Sequence, residues 1–395
     1  MKIIADENMP NARALFSHLG VVELVGGRTL SHDHVKDADV LLVRSVTKVT
    51  KALLQGSSVS FVGSATIGVD HIDLSYLQEA NIGFSSAPGC NADAVADYVF
   101  SGLSHLYMTK GLRWLNKSVG IIGFGNVGST VYERFHQLGC DVCVYDPMKQ
   151  TTIKKNDKSV NFVSLEDVLQ CDVITLHAPL TRTGPFPTQG MIGAQELSFL
   201  SPGAAIISAG RGGVIDEDAL IARHRQLNGE LHLIIDVWQG EPAINQALVS
   251  IVDIATPHIA GYSKQGREKG TWMVYEALSR HLGVSASLTP KNKLISPGWL
   301  VSMKVVANGC LEEKLARAIQ AIYDVARDDV RLRFKYRENK EKNIFDWLRK
   351  HYVERDEFNT SCVGIGGAND VDVSSADMRR IFSATGFRLN EQELR

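Results

Sequence analysis

The sequence predicts an α/β protein with two doubly wound parallel-sheet domains, one inserted in the other, and a small α/β domain at the C-terminus. Three observations support this prediction. Short apolar runs alternate with helical patterns over the first two-thirds of the 395 residues, which is typical of parallel βαβ units. Two long helical stretches bracket the second part of that alternation. A segment with two prolines then precedes about 100 further residues.

The first α/β unit is predicted to cover about 90 residues. Its strands are expected at residues 2–5, 39–44, 59–62 and 82–85, with helices at residues 12–19 and 73–80. A long helix is expected over residues 91–108, where the chain leaves this unit.

A second α/β unit is predicted to open at Lys117. Its strands are expected at residues 119–122, 140–145, 173–177, 204–208, 232–237 and 254–256. A second long helix is expected over residues 264–282. The chain would then leave the first domain on one long helix and return to it on the other, and the cleft between the domains would be the natural ligand site.

The composition predicts a linker over residues 285–298, which contain Pro290 and Pro297. Beyond it we expect helices at residues 311–326, 343–352 and 375–384 and a strand at residues 361–365. This stretch is too long for a tail and predicts a third domain.

The overall composition is that of an ordinary globular protein. Hydrophobic residues make up 44% and charged residues 22%, which excludes wholesale disorder. The net charge of -2 gives no reason to expect a nucleic-acid or membrane partner. No apolar run approaches the roughly 18 residues of a spanning helix. The acidic N-terminus lacks the apolar core of a signal peptide, so we expect a cytoplasmic protein.

The six cysteines are scattered along the chain, and two of them are close in sequence. Cys140 and Cys143 have the spacing C-x-x-C, which occurs in redox and zinc sites. They stand in an apolar run predicted to be a strand, whereas such sites favour loops or helix N-termini with further ligands nearby. We therefore expect core packing and no metal site.

A strand runs into the pattern G-x-G-x-x-G, formed by Gly123, Gly125 and Gly128, and a helix follows. Gly123 permits a tight turn, Gly125 lets the backbone approach a pyrophosphate, and Gly128 allows close helix–strand packing. Asp146, 21 residues after Gly125, can accept both ribose hydroxyls and would repel a 2′-phosphate. The pattern predicts an NAD site, in preference to NADP; the alternative is a glycine-rich turn without a ligand.

Arg211, Glu241 and His258 each follow a predicted strand of the second unit. The carboxyl ends of parallel strands share one edge of a sheet, which is where such sheets bind ligands. A guanidinium can hold a carboxylate, an imidazole can take a hydroxyl proton, and a carboxylate can orient the imidazole. Singly, the three could be a structural ion pair, a solvated acid and a loop histidine. Their joint placement favours oxidation of a hydroxy acid.

The motifs taken together resemble the D-isomer-specific 2-hydroxyacid dehydrogenase family over about residues 1–285. They are residues 123–128 with Asp146, then 208–212, 236–238, 241–242 and 257–261. The resemblance implies an NAD(H)-dependent enzyme with Arg211, Glu241 and His258 as the catalytic set. It also implies a Rossmann NAD domain (residues 96–263) inserted in a flavodoxin-like substrate domain (residues 1–95 and 264–285).

The same resemblance implies which residues line the dinucleotide. Asp236 is expected near the nicotinamide carboxamide. The full set is Gly123, Gly125, Asn126, Val127, Gly128, Asp146, Thr175, Ala209, Gly210, Arg211, Asp236 and Gly261.

Narrower motifs resemble one branch of the family that carries an extra C-terminal domain. They lie at residues 6–10, 43–48, 65–71, 87–92, 258–262 and 323–329. This resemblance implies substrate contacts at Ser45, Thr66 and Tyr262 and a homodimer formed through a dimerisation domain at residues 286–395.

The substrate implied is a small phosphorylated 2-hydroxy acid, whose phosphate needs cations. Arg44 is the first candidate, followed by Arg349 and Lys350. The alternative for the latter two is the solvated face of an amphipathic helix.

Two other functions are also compatible with the sequence. One is a dehydrogenase acting on phosphoglycerate, glycerate or a bulkier hydroxy acid. The other is a non-enzymatic NAD-sensing protein like the transcriptional corepressors that share the fold. A corepressor would be expected to lack the loop at Arg44 and Ser45 and to carry a peptide-docking cleft.

Overall fold

The computed structural model describes residues 1–153, 160–285, 295–306, 310–340, 343–366 and 373–390. The chain divides into two compact units. The first consists of Met1–Ala92 and Tyr262–Pro297, and the second of Asp93–Gly261 and Gly298–Arg395. The C-terminal region, which the sequence assigned to a third domain, thus packs within the second unit.

The first unit contains a parallel sheet with the strand order β2-β1-β3-β4-β5. The strands are β1 (Lys2–Asp6), β2 (Val21–Val25), β3 (Val40–Val43), β4 (Phe61–Ser64) and β5 (Gly83–Ser85). An apolar core lies on each face of the sheet. This is a doubly wound sheet, as predicted.

Short helices connect the strands of the first unit. They are α1 (Ala12–Phe16), α2 (His32–Val35), α3 (Lys51–Leu54) and α4 (Leu74–Glu79). The edge strand Val21–Val25 was not predicted from the sequence. Val21 is 74% exposed and only Val25 is buried, so the strand lacks the uninterrupted apolar run of a central parallel strand.

The second unit contains a parallel sheet with the strand order β11-β10-β9-β8-β6-β7. The strands are β6 (Ser118–Ile122), β7 (Asp141–Tyr145), β8 (Val173–Leu176), β9 (Ala205–Ser208), β10 (His232–Ile235) and β11 (Ile254–Ala255). A single bridge between Val144 and Phe162 extends the β7 edge. The order reverses between β6 and β8, and ligands of such sheets bind at that reversal.

Helices flank this second sheet. They are α5 (Ala92–Lys110), α6 (Asn126–Gln137), α7 (Pro147–Thr152), α8 (Leu165–Leu169), α9 (Ala194–Leu197), α10 (Glu217–Gln226) and α11 (Gln246–Ile251). The next helix, α12 (Lys264–His281), belongs to the first unit. The predicted fold class is confirmed by these two sheets and the smaller one that follows.

The C-terminal region forms a parallel sheet with helices around it. Its strands, in sheet order, are β12 (Ser302–Val306), β13 (Cys362–Gly366) and β14 (Arg388–Leu389). Its helices are α13 (Leu311–Ile322), α14 (Ala326–Glu338), α15 (Ile344–Lys350) and α16 (Val373–Thr385), with a 3-10 turn at Phe358–Thr360.

The single helix predicted over residues 311–326 is wrong at its C-terminal end. The helix ends at Ile322, and Tyr323 is extended with φ -143° and ψ 112°. The Ser101 hydroxyl donates to the Tyr323 carbonyl at 2.8 Å and accepts from the Val325 amide at 3.0 Å. A distant serine therefore interrupts the helix. Within the described residues, no helix is both long and apolar enough to cross a membrane.

Candidate active site

The glycine loop joins β6 to α6 and leaves open space where a dinucleotide could bind. Gly123 has φ +91°, and a Cβ there would lie 2.7 Å from the Ala178 amide nitrogen. A Cβ at Gly128 would collide with the Gly123 carbonyl oxygen. A Cβ at Gly125, by contrast, would meet no atom within 4 Å, so the backbone is open to a pyrophosphate. The loop fits the predicted cofactor.

Asp146 follows β7 and fixes the same loop. One carboxylate oxygen accepts the Phe124 amide at 2.7 Å, and the other accepts the Lys149 amide at 2.9 Å. Each oxygen keeps a second lone pair that a ribose hydroxyl could use. Asn126 and Val127 form the first turn of α6, where free backbone amides favour a phosphate.

Thr175 lies inside the sheet on β8 and is fully buried. Its hydroxyl is 2.9 Å from Nε2 of His177, and burial lowers the pKa of His177 to about 3. This imidazole is therefore neutral near pH 7. Ala209 and Gly210 directly follow β9, beside Ala178. The cofactor contacts assigned to Thr175, Ala209 and Gly210 stay predictions.

Glu241 and His258 form a hydrogen-bonded pair. Oε2 of Glu241 lies 2.8 Å from Nδ1 of His258, and Oε1 accepts the Trp238 amide at 2.9 Å. The side chains are 21% and 27% exposed, so the pair is largely shielded from water. Burial is the largest influence and would raise the pKa of Glu241, but the hydrogen bond and charge of His258, the Trp238 amide and the charge of Arg349 together lower it. The ionised carboxylate fixes the proton on Nδ1 and leaves Nε2 for proton exchange.

Asp236 holds the loop that carries His258 through hydrogen bonds. Both carboxylate oxygens accept loop amides, from Ile259 at 2.7 Å and Ala260 at 2.9 Å, and one also accepts the Thr256 hydroxyl at 2.6 Å. Asp236 is 1% exposed, and burial raises its pKa. The sequence placed Asp236 near the nicotinamide, which stays a prediction. The structure adds this support of the loop, which no sequence motif indicated.

Arg211 stands at the same sheet edge as the Glu241–His258 pair. It follows β9, whereas Glu241 and His258 follow β10 and β11, and the three strands are parallel neighbours. Nη1 of Arg211 donates to the Gly210 carbonyl at 3.0 Å. Gly261 directly follows the His258 loop. The structure therefore brings the three predicted catalytic residues to one edge, as their positions after strands suggested.

The predicted substrate residues lie in the first unit. Arg44 and Ser45 follow β3, and Thr66 follows its neighbour β4. Tyr262 lies just before α12. The Thr66 hydroxyl donates to the Gly68 carbonyl at 3.1 Å. Ser45 is exposed, and the others are half-buried.

Two residues that the sequence did not single out orient Thr66. Ser64 Oγ lies 2.7 Å from Thr66 Oγ1 and 3.0 Å from Nε2 of His71. Ser64 is fully buried, and burial lowers the pKa of His71. His71 falls within the motif at residues 65–71, which was the one available signal.

Arg349 and Lys350 end α15 in the second unit. The positive charge of Arg349 is the smallest of the named influences that lower the pKa of Glu241. Lys350 is exposed.

The C-x-x-C pair lies on and beside β7, and Cys140 is buried. Sγ of Cys143 is 3.5 Å from Sγ of Cys171, and both thiols are free. Over the described ranges, no group of three or more His, Cys, Asp or Glu side chains is arranged to hold a metal.

Two families match the sequence. Residues 103–260 match the D-isomer specific 2-hydroxyacid dehydrogenase, NAD binding domain. Residues 294–378 match a domain of unknown function (DUF3410).

A protein from Marinomonas sp. (strain MWYL1), an erythronate-4-phosphate dehydrogenase, is 68% identical over 99% of this chain and 100% of its own length. The chain belongs to the erythronate-4-phosphate dehydrogenase family. The erythronate-4-phosphate dehydrogenase of Marinobacter nauticus is 44% identical over 98% of this chain and 100% of its own. The predictions of an NAD-dependent enzyme and of the family branch are confirmed by these relatives and the matched NAD domain.

Solved structures of other dehydrogenases share the fold. The NAD⁺-bound 3-phosphoglycerate dehydrogenase of Entamoeba histolytica has a TM-score of 0.59 and 27% identity, covering 73% of this chain and 99% of its own. The NAD complex of the Staphylococcus aureus formate dehydrogenase has a TM-score of 0.55 and 22% identity, covering 74% and 98%. NAD as the cofactor agrees with the first of these and with the family match.

Proposed function

We propose that this protein oxidises 4-phospho-D-erythronate to 2-oxo-3-hydroxy-4-phosphobutanoate with NAD⁺, in the cytoplasmic synthesis of pyridoxine 5′-phosphate, the vitamin B6 pathway. The observation that carries the chemistry is the 2.8 Å contact between Glu241 and His258 on the sheet edge that also bears the glycine loop. The substrate follows from the 68% identity to a named erythronate-4-phosphate dehydrogenase.

His258 acts as the general base in this proposal. Its Nε2 accepts the proton of the C2 hydroxyl, while Glu241 holds the proton on Nδ1 and stabilises the imidazolium that forms. NAD⁺ held at the glycine loop and Asp146 would be the acceptor for the hydride that leaves C2. Burial of the pair strengthens the electrostatic support, because less water competes for the charges.

Arg211 binds the substrate carboxylate and the C2 oxygen. A planar guanidinium donates two parallel hydrogen bonds and fixes C2 relative to the base. Its position after β9, one strand away from the β10 segment that leads to Glu241, supports this role.

The terminal phosphate is bound by Arg44, with Arg349 and Lys350 as the second candidates, and Ser45, Thr66 and Tyr262 complete the substrate contacts. The influence of Arg349 on Glu241 supports a location at the catalytic edge. A dianionic phosphate is held best by more than one cation.

The protein is proposed to form a homodimer through residues 286–395. The described C-terminal region exposes large apolar side chains that a partner subunit could cover. They include Trp299 (91% exposed), Val330 (64%), Val301 (60%) and Phe334 (52%).

Substrate choice is tested by following NADH absorbance with four acids: 4-phospho-D-erythronate, erythronate, 3-phosphoglycerate and glycerate. A 2-oxo acid is added as an acceptor in a parallel assay, in case NADH stays bound. We expect the highest kcat/KM with 4-phospho-D-erythronate. A higher value with 3-phosphoglycerate or glycerate would instead assign one of the related dehydrogenase activities.

A further inference from the structure

The C-terminal region holds both ends of the loop that carries His258. At the amino end, the Ala255 amide donates to Oδ1 of Asp329, on α14, at 2.7 Å. At the carboxyl end, Nη2 of Arg355 donates to the Ala260 carbonyl at 2.6 Å. Asp329 and Arg355 both come from the segment that matches a domain of unknown function.

Arg355 is fixed on several sides. It is 6% exposed, and the same Nη2 also donates to the Ala94 carbonyl, on α5, at 2.9 Å. Its Cζ lies 3.9 Å from the centre of the Tyr323 ring, a cation–π contact. These contacts with α5 and the Tyr323 ring restrain the buried guanidinium. Through its hydrogen bond to the Ala260 carbonyl, the guanidinium in turn restrains the His258 loop.

Asp329 is anchored in a similar way. It is 8% exposed and accepts Nε of Arg333 at 2.9 Å. The Arg333 side chain also donates to the carbonyls of Val249 and Val252, at 2.7 and 2.9 Å. The helix α14 is thereby tied to the segment that leads into β11 and the His258 loop.

The loop requires such support. His258 has φ +56°, a left-handed conformation that costs energy in a residue with a Cβ and persists where the surroundings impose it. Its amide donates to the Asp236 carbonyl at 2.8 Å. Asp236 directly follows β10, so this hydrogen bond holds the loop on the side of the sheet. The contact between His258 and Glu241 is a hydrogen bond only while the ring stays within about 3.2 Å of the carboxylate.

We propose that Arg355 is a positioning residue for His258, and that the C-terminal region takes part in the reaction by holding this loop through Arg355 and Asp329. The proposal rests on the role assigned to His258 as the general base. Arg355 acts on the reaction through the backbone of Ala260 and has no proposed contact with substrate or cofactor.

The test compares Arg355→Met and Arg355→Lys in the full-length protein. The methionine removes both hydrogen bonds to carbonyls. The lysine keeps the charge in the buried site, which favours folding, but lacks the planar fork and the reach of the guanidinium. Circular dichroism and thermal unfolding establish that each variant is folded at the assay temperature.

The matched control is Arg223. Its Nη2 also bridges two carbonyls, donating to Ser198 at 2.9 Å and to Leu200 at 2.6 Å. Both carbonyls precede β9, whereas the His258 loop follows β11 at the other end of the parallel strands. Arg223→Met and Arg223→Lys remove the same kind of interaction from the same unit. Any general effect of losing a guanidinium bridge appears in these variants too.

We expect Arg355→Met to lower kcat by roughly 10–100-fold, because small misplacements of a catalytic group have large effects. The Kd for NADH, measured by fluorescence titration, should change less than about twofold. The KM for 4-phospho-D-erythronate should change much less than kcat, because the variant displaces the base and not the groups proposed to bind the substrate. Arg355→Lys should change kcat in the same direction, by less.

The proposal is overturned if the folded Arg355 variants match their Arg223 counterparts in kcat and in KM. Should Arg355→Met fail to fold, the Arg355→Lys and Arg223→Lys pair decides by the same criteria. A His258→Ala variant in the same assay distinguishes a failure of the proposed function from a failure of the positioning role. If His258→Ala retains full turnover, the proposed function fails; if it is inactive while the Arg355 variants behave as controls, only the positioning role fails.

Discussion

Glu241 accepts a hydrogen bond from His258 with one carboxylate oxygen, at 2.8 Å, and from the backbone amide of Trp238 with the other, at 2.9 Å. The carboxylate therefore cannot rotate without losing one of the two bonds. This arrangement fixes which imidazole nitrogen bears the proton and keeps the other available to a substrate hydroxyl. The proposed chemistry depends on that division of roles.

Removing the imidazole should abolish most of the turnover. His258→Ala is expected to lower kcat by about 10²–10⁴-fold, the usual contribution of a general base. The Kd for NADH should change little, because the glycine loop and Asp146 lie at other strands of the sheet. Steady-state kinetics and fluorescence titration measure the two quantities. Wild-type turnover in the variant would show that another group takes the proton.

A change of Arg211 to lysine should also inactivate the protein, although the charge is kept. An ammonium group cannot make the planar two-point contact to a carboxylate that a guanidinium makes. We expect a large loss of kcat/KM for the hydroxy acid with the Kd for NADH preserved. Lys110 forms an ion pair with Asp253 away from the predicted site, and Lys110→Arg serves as a control for exchanging the two cations. Full activity in Arg211→Lys would contradict a bidentate role.

The preference for NAD over NADP should depend on Asp146. Asp146→Ser keeps a helix-capping oxygen but removes the charge that repels a 2′-phosphate, so NAD binding should weaken and discrimination against NADP should relax. The ratio of kcat/KM for the two cofactors is the measurement. Asp216 caps α10 by accepting the Ala219 amide at 3.0 Å, and Asp216→Ser controls for loss of a cap. Unchanged discrimination in Asp146→Ser would place the ribose contact elsewhere.

The cations proposed to bind the phosphate can be tested by comparing KM for a phosphorylated and an unphosphorylated substrate. Arg44→Ala should raise KM for 4-phospho-D-erythronate far more than KM for erythronate, because only the first carries a phosphate. Arg349→Ala should do the same if α15 reaches the phosphate. Lys350→Ala completes the comparison at the exposed neighbour. Equal losses on both substrates would mean that these cations support the fold.

The stability of the second unit should fall in acid because of His177. Burial lowers the pKa of His177 to about 3, whereas the unfolded chain takes up the proton near 6.5. This contribution to stability is therefore complete above about pH 6.5 and is lost as the pH falls through the window down to about 3. At pH 5 the loss is about 2 kcal/mol for this one proton.

Urea unfolding of the wild type and of His177→Gln at pH 7.5 and pH 5 tests this expectation. The glutamine can still bond to the Thr175 hydroxyl, at 2.9 Å in the wild type, but does not titrate. We expect the acid-induced loss of unfolding free energy to be smaller in His177→Gln. An equal loss in both proteins would assign the acid sensitivity to other groups.

The central strands could be predicted from the sequence because their burial is continuous. All four residues of β3 and all four of β9 are buried, and such strands appear as uninterrupted apolar runs. The edge strand β2 and the helix α14 lack that signal. Val21 on β2 and Val330 on α14 are 74% and 64% exposed, so neither element shows a complete apolar face to recognise.

The sequence by itself determined which strands precede Arg211, Glu241 and His258, the glycine loop with Asp146, and through these motifs the family. Local spacing suffices there, since a parallel sheet aligns the carboxyl ends of its strands. Only the tertiary structure decided that Asp236 supports the loop that carries His258 and that Arg355 holds it. Arg355 and Ala260 are 95 residues apart in the chain. A hydrogen bond over such a separation depends on how the whole unit packs, so no local sequence pattern predicts it.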